Sequence, residues 1–226
     1  MPYIANTDSD IKEMLETINN GGISFTPPLD GFQLQPHAID LRLGTTFYIP
    51  KPWRITEQGR EAINVDPLRE IDDGNSFDIV QLSPGQHFEI LPNEFIIAAT
   101  LEKIAINNTK LMAILYPRSS INRRGLSVDL SGIIDTGYSG TLMIPIQNNT
   151  NNQVIKVYPG ERICQIVFEE LISAVPKDTV HIHGLNTAKY IDANDQTLSS
   201  KKDKREEIDL IKKGNLDKLK KQYPIT

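Results

Sequence analysis

The stretch "SGIIDTGYSGTLMIPIQN", residues 131–148, is rich in apolar and β-branched residues and reads as two strands joined at Asp-Thr-Gly. It carries one carboxylate, Asp135, and a proline, Pro145, in the middle of the second strand. An aspartate before Thr-Gly suits an Asx-type turn. Proline has no N–H to give to a ladder, so Pro145 predicts an edge or a bulge.

Working outward, similar short runs recur: "AIDLRLGTTFYI", "HFEIL", "EFIIAATL", "LMAILY", "NQVIKVY" and "RICQIVFEEL". Turn sequences such as "SPGQ", "LPNE" and "YPGE" separate them. The pattern predicts an all-β sandwich, jelly roll or barrel. Helical signals occur only at the ends. "TDSDIKEMLETINNGG" reads as a short helix capped by Asp8 or Ser9, with Ile11, Met14, Leu15 and Ile18 as its apolar stripe. The tail from Lys201 to Thr226 reads as a charged amphipathic helix interrupted at Gly214. The segment from Pro50 to Asp78 is polar and irregular, an excursion from the body. Residues 1–200 are therefore expected to form one β domain and 201–226 an extension.

Composition narrows the function classes. No run approaches the roughly 18 apolar residues that span a bilayer, and the N-terminus lacks signal-peptide features, so a cytoplasmic protein is expected. The single cysteine, Cys164, sits in the apolar "RICQIVF" and reads as a buried structural thiol. His181 and His183 share a strand face but are only two ligands, so no metal site is expected. The formal charge of −5 is uneven: the tail holds nine basic and five acidic residues, which leaves −9 on residues 1–200. An acidic body argues against nucleic acid as partner. A polyanionic ligand would need a few placed cations or a metal.

Two further stretches carry chemistry. In "YPRSSINRRGL", Arg118, Ser119 and Ser120 directly follow the strand "LMAILY". A guanidinium beside two hydroxyls suits phosphate oxygens, although a solvated turn has the same composition. In "YPGERICQIVF", a Pro-Gly turn leads into a strand carrying Gln165. Asp135 alone is explained by its turn. An aspartic protease would need a hydroxyl residue where Tyr138 stands and a second carboxylate to share the proton.

In this order, "RSSINRRGL", "GIIDTGYSG" and "PGERICQIVF" resemble the trimeric dUTPase and dCTP deaminase superfamily. Upstream, "DSDIKEMLETINNGGISF" and "QPHAIDLRLGTTF" are similar to the deaminase branch's N-terminal helix and Asp-Leu-Arg-Leu-Gly strand. "LEKIAINNTKLMAILYPRSS" is similar to the strand pair before the phosphate loop, and "NTAKYIDANDQTLSS" to the Ala-Lys-Tyr segment that closes over nucleotide. The resemblance implies a jelly-roll-like homotrimer with sites between subunits. Its substrate would be a deoxynucleoside triphosphate, dUTP or dCTP, carrying its own Mg²⁺. Arg118, Ser119, Ser120 and Gln165 would hold phosphates, while Lys189 and Tyr190 close the site. Arg123, which matches an arginine of the deaminase branch, would join them as a substrate-binding residue. Tyr138 would stack on the deoxyribose, and residues 129–144 would line the base pocket.

The resemblance also separates two reactions. Deamination in this family uses a glutamate in a Gly-x-Ile-x-Leu-Glu pattern; counted from Gly140, that position is Pro145. Hydrolysis of dUTP to dUMP and pyrophosphate uses the carboxylate of Ile-Asp-x-x-Tyr, here Asp135, to orient or deprotonate water. The Arg118-to-Asp135 interval also follows the shorter dUTPase spacing. Two features depart from the families. The glycine-rich closing motif of dUTPases is missing, and Ile182 stands where deaminases have a phosphate-binding tyrosine. Gln196 fits the deaminase glutamine only with an insertion. The expected activity is dUTP hydrolysis, with dCTP deamination or a non-catalytic nucleotide-binding role as alternatives.

Overall fold

The computed structural model describes residues 16, 18, 20, 22–63, 76–129, 132–175 and 205–222. Its strands are β1 (Ile23–Thr26), β2 (Ile39–Pro50), β3 (Trp53–Thr56), β4 (Gly59–Ala62), β5 (Phe77–Gln81), β6 (Phe88–Ile90) and β7 (Phe95–Ile106). They continue with β8 (Leu111–Pro117), β9 (Leu126–Val128), β10 (Ile133–Ile134), β11 (Ser139–Asn148), β12 (Ile155–Val157) and β13 (Arg162–Glu170). Three helices have both ends among the described residues: α1 (Ser119–Asn122), α2 (Arg205–Lys212) and α3 (Leu216–Gln222). Every quoted apolar run forms a strand; the His181–His183 stretch lies outside the described residues. Of the N-terminal helix, Glu16, Ile18 and Asn20 are helical and Ile18 is buried; its capping residues lie outside the described residues.

The chain divides into two compact units, residues 1–50 with 78–197, and 51–77 with 198–226. In the first, the strands run β10-β8-β13-β2-β7-β11-β9, with β1 on β7 and β5 on β2. The pairs along that path are antiparallel, and the fold is jelly-roll-like. β11 shows why such sequences make half-buried strands: it buries Gly140, Leu142, Ile144, Ile146 and Asn148, every second residue. β2 links the two arms of this path. Its first residues pair with β13, and from Leu43 onward it pairs with β7. Gly44 marks the change, because a Cβ there would lie 2.9 Å from the Ala99 carbonyl oxygen. Leu41, Leu43 and Phe47 enter the core from this strand, and Phe47 stacks on Phe88 with ring centroids 4.6 Å apart.

In the second unit, the segment read as irregular contains a hairpin. Trp53 pairs with Ala62, and Arg54 pairs with Glu61 in both register and charge at 3.2 Å. The Arg60 guanidinium lies 4.6 Å over the Trp53 ring. These cross-strand pairs replace a buried face, which is why no hydrophobic alternation announces the hairpin. The tail breaks as expected at Gly214, which takes φ +67 and ends α2. The Asn215 amide then donates back to the Leu210 carbonyl at 2.9 Å.

Candidate active site

Asp40 opens the geometry. It is the second residue of β2, flanked by Ile39 and Leu41, and it is wholly buried. A carboxylate removed from water must be paired and hydrogen-bonded. Three side chains do this. Arg118 Nε lies 3.3 Å and Arg162 Nη1 3.1 Å from Oδ2, while Gln165 Nε2 donates to Oδ1 at 2.9 Å. The bulge between Arg162 and Cys164 in β13 sets that strand's register against β2, with Gln165 opposite Asp40. Arg118 follows the end of β8 in extended conformation and starts α1. Its Nη1 donates to the Arg162 carbonyl at 3.2 Å. Two guanidiniums share one carboxylate, so the corner keeps a surplus positive charge at the surface. Ser119 and Ser120 are exposed beside it on α1, and Arg123 is exposed just beyond.

The corner brings together Arg118 and Gln165, both singled out from sequence. It also contains Asp40 and Arg162, which were not. The available signal for Asp40 was an acid inside an apolar run, a residue that burial would force to find partners. Asp40→Asn should keep the shape but lose charge-assisted bonds to two arginines. Unfolding in urea should show a stability loss of about 2–4 kcal/mol. A change under about 0.5 kcal/mol would mean that solvent screens these pairs.

Behind the corner lies a second buried carboxylate. Glu102 on β7 accepts from Gln33 Nε2 at 2.8 Å and from the Arg42 amide at 2.8 Å. Gln33, itself buried, also donates to the Asp40 carbonyl at 3.0 Å. Burial pushes the Glu102 carboxyl above its ordinary value, against the pull of these hydrogen bonds. Cys164 is a buried free thiol, as the sequence implied. Burial raises its pKa, and the neighbouring carboxylates Glu102 and Asp40 raise it further, so it stays protonated.

Asp135 and Tyr138 sit on the turn between β10 and β11. Gly137 takes φ +84 there, which a residue with a Cβ rarely adopts. The turn is pinned between two strands. The Thr136 hydroxyl donates to the Leu111 carbonyl at 2.6 Å, and the Gly137 amide donates to the Ile106 carbonyl at 2.7 Å. Asp135 is exposed. Tyr138 packs its half-buried ring against the core and donates its hydroxyl to the Thr141 carbonyl at 2.8 Å. Burial raises the phenol's pKa, so it remains a neutral donor. Pro145 pairs with Ile97 of β7, and its carbonyl accepts from the Asp129 amide at 3.0 Å. The proline nitrogen faces the same side and has no hydrogen to return to the Asp129 carbonyl, so the pairing with β9 stops at Ile146 and Val128. The bulge in β11 comes earlier, between Thr141 and Met143. The Leu142 amide there donates to the Thr100 hydroxyl at 2.9 Å.

Within one chain these two groups do not meet. Ile134 pairs with Ala113, which puts Asp135 beside Met112 at the start of β8. Arg118 follows the other end of β8, six residues along, or about 20 Å at strand rise. Gln165 pairs with Tyr116, at the Arg118 end. Lys189, Tyr190 and Gln196, with His181, Ile182 and His183, lie outside the described residues.

The antiparallel jelly-roll body thus carries an Arg-Ser-Ser corner and an acid-bearing hairpin at opposite ends of β8. The model of the dCTP deaminase-like family matches residues 7–171. The dCTP deaminase, dUMP-forming, of Methanobrevibacter smithii is 32% identical over 186 residues, 82% of this chain and 89% of that protein. That of Methanosphaera stadtmanae is 30% identical over 213 residues, 92% of this chain and 98% of that protein. The crystal structure of 2'-deoxycytidine 5'-triphosphate deaminase from Agrobacterium tumefaciens shares the fold, with a TM-score of 0.53 and 22% identity. That match spans 81% of this chain and 54% of that one. The chain belongs to the dCTP deaminase-like family.

Proposed function

We propose that this protein hydrolyses dUTP to dUMP and pyrophosphate, as a homotrimer whose sites lie between neighbouring copies. One observation carries the choice of reaction: Asp135 is retained and exposed on its turn, whereas the position of the family's deaminating glutamate is Pro145. Proline can neither take nor give a proton, and the adjacent Ile144 and Ile146 are buried and apolar. The relatives' name covers two changes on the way from dCTP to dUMP, loss of the amino group and loss of pyrophosphate. The residues of this chain suit the second.

In the proposed step, Asp135 accepts a proton from water as its oxygen bonds to the α-phosphorus. The bond from that phosphorus to the bridging oxygen breaks, and pyrophosphate leaves with the electron pair. Arg118, Gln165 and the hydroxyls of Ser119 and Ser120 hold the phosphates; Mg²⁺ carried by the triphosphate would supply further neutralising charge. Tyr138, fixed by its bond to Thr141, offers a ring to the deoxyribose. Lys189 and Tyr190 complete the nucleotide-binding set by resemblance alone. The distance between Asp135 and Arg118 along β8 supports the trimer, since the two ends can serve one phosphate chain only when supplied by different copies.

The relatives' names favour a second reading, deamination of dCTP. One assay separates them: the protein is incubated with Mg²⁺ and each deoxynucleoside triphosphate in turn. Pyrophosphate and monophosphate from dUTP, with no ammonia from dCTP, are expected. Ammonia release from dCTP would replace the proposal with the second reading. Tight dUTP binding without turnover would make the protein a nucleotide-binding member of the family.

A further inference from the structure

Arg162 enters β13 at the bulge and turns its guanidinium toward the same buried carboxylate as Arg118. Its Nη1 donates to Asp40 Oδ2 at 3.1 Å and to the Phe32 carbonyl at 2.5 Å, which commits both protons of that nitrogen. The Nε and Nη2 donors have no protein acceptor among the described residues, and the side chain is one-third exposed. A guanidinium held along one edge leaves its remaining fork free for a bidentate anion.

The loop that supplies the Phe32 carbonyl is tied down with similar care. Asp30 pairs with Arg42, and its Oδ1 accepts from the Phe32 amide at 2.9 Å. The Gln33 side chain reaches inward to Glu102 at 2.8 Å, while the Gln33 carbonyl accepts from the Asp40 amide at 2.7 Å. A hydrogen-bonded line thus runs from Glu102 through Gln33 and the loop to Arg162, and then through Asp40 to Arg118 and Gln165. In a body that carries −9, two guanidiniums converging on one carboxylate form a local surplus of positive charge.

We propose that Arg162 is a further phosphate-binding residue, engaging the outer phosphoryl oxygens of the triphosphate, and that the buried Gln33–Glu102 pair is the positioning element that holds it. This rests on the nucleotide reading above. The test measures calorimetric binding of inorganic tripolyphosphate and of dUMP to the full chain with Mg²⁺, alongside kcat and KM for dUTP. The proteins are wild type, Arg162→Ala, Arg162→Lys and Glu102→Gln.

In Arg162→Ala, tripolyphosphate affinity should fall and KM for dUTP rise by roughly tenfold to a hundredfold, with dUMP affinity within about threefold. Arg162→Lys keeps the charge but not the fork, so it should recover only part of the loss. Glu102→Gln should repeat the pattern more weakly, in KM rather than kcat. Unchanged tripolyphosphate binding in Arg162→Ala overturns the inference, as does an equal loss for dUMP or a wild type that binds no tripolyphosphate. If Arg162→Ala does not fold, a lysine variant that binds tripolyphosphate like wild type overturns it. Selective loss of tripolyphosphate binding in a protein that never hydrolyses dUTP would sustain the inference and remove the proposed reaction instead.

Discussion

Asp135→Asn should release pyrophosphate from dUTP about a thousandfold more slowly than wild type, within the range attributed to a positioned general base. The amide keeps the size and one oxygen of the carboxylate but cannot take a proton at neutral pH. Because Asp135 is exposed and its backbone, not its side chain, makes the turn bond to Tyr138, folding should be little affected. Affinity for a non-hydrolysable dUTP analogue should therefore stay within about threefold, because the proposed reaction assigns phosphate holding to the Arg118 corner. Calorimetry with the analogue and a coupled pyrophosphate assay would read the two effects separately. Equal loss of binding and turnover would make Asp135 a structural residue, and unchanged turnover would remove it from the chemistry altogether.

The second large effect concerns how sites are assembled. Arg118→Ala and Asp135→Asn should each be nearly inactive alone. Unfolded together and refolded at equal amounts, they should regain about a quarter of wild-type activity. In a cyclic trimer with one acid and one arginine per site, a quarter of the neighbouring pairs then combine an intact corner with an intact hairpin. This outcome follows from the separation along β8, where Asp135 lies near Met112 and Arg118 beyond Pro117. A mixture as inactive as its components would mean that each site draws both groups from one chain. It would also contradict the strand register.

The fold was legible in sequence to the extent that it depends on local rhythm. The runs around Ile39, Phe95, Leu111, Ser139 and Arg162 carry β-branched and apolar residues between turn residues, Pro-Asn before Phe95 and Pro-Gly before Arg162 among them, and all became strands. The β3–β4 hairpin escaped because its pairs are ionic and aromatic rather than core-facing. Site residues divided in the same way. Arg118, Ser119, Ser120, Asp135 and Gln165 stood out within contiguous motifs. Asp40 and Arg162 did not, because their meaning lies in a contact between residues 122 positions apart. Gln33 and Glu102, 69 positions apart, were hidden for the same reason. Local pattern cannot announce a long-range pair, but a charged residue amid apolar neighbours signals that a partner exists.

The placement of the two groups at opposite ends of β8 has an outcome at low protein concentration. If neighbouring copies complete one another, a solitary copy has no whole catalytic centre, and specific activity should decline on dilution as the copies part. Co-expressed damaged copies would then poison their intact neighbours.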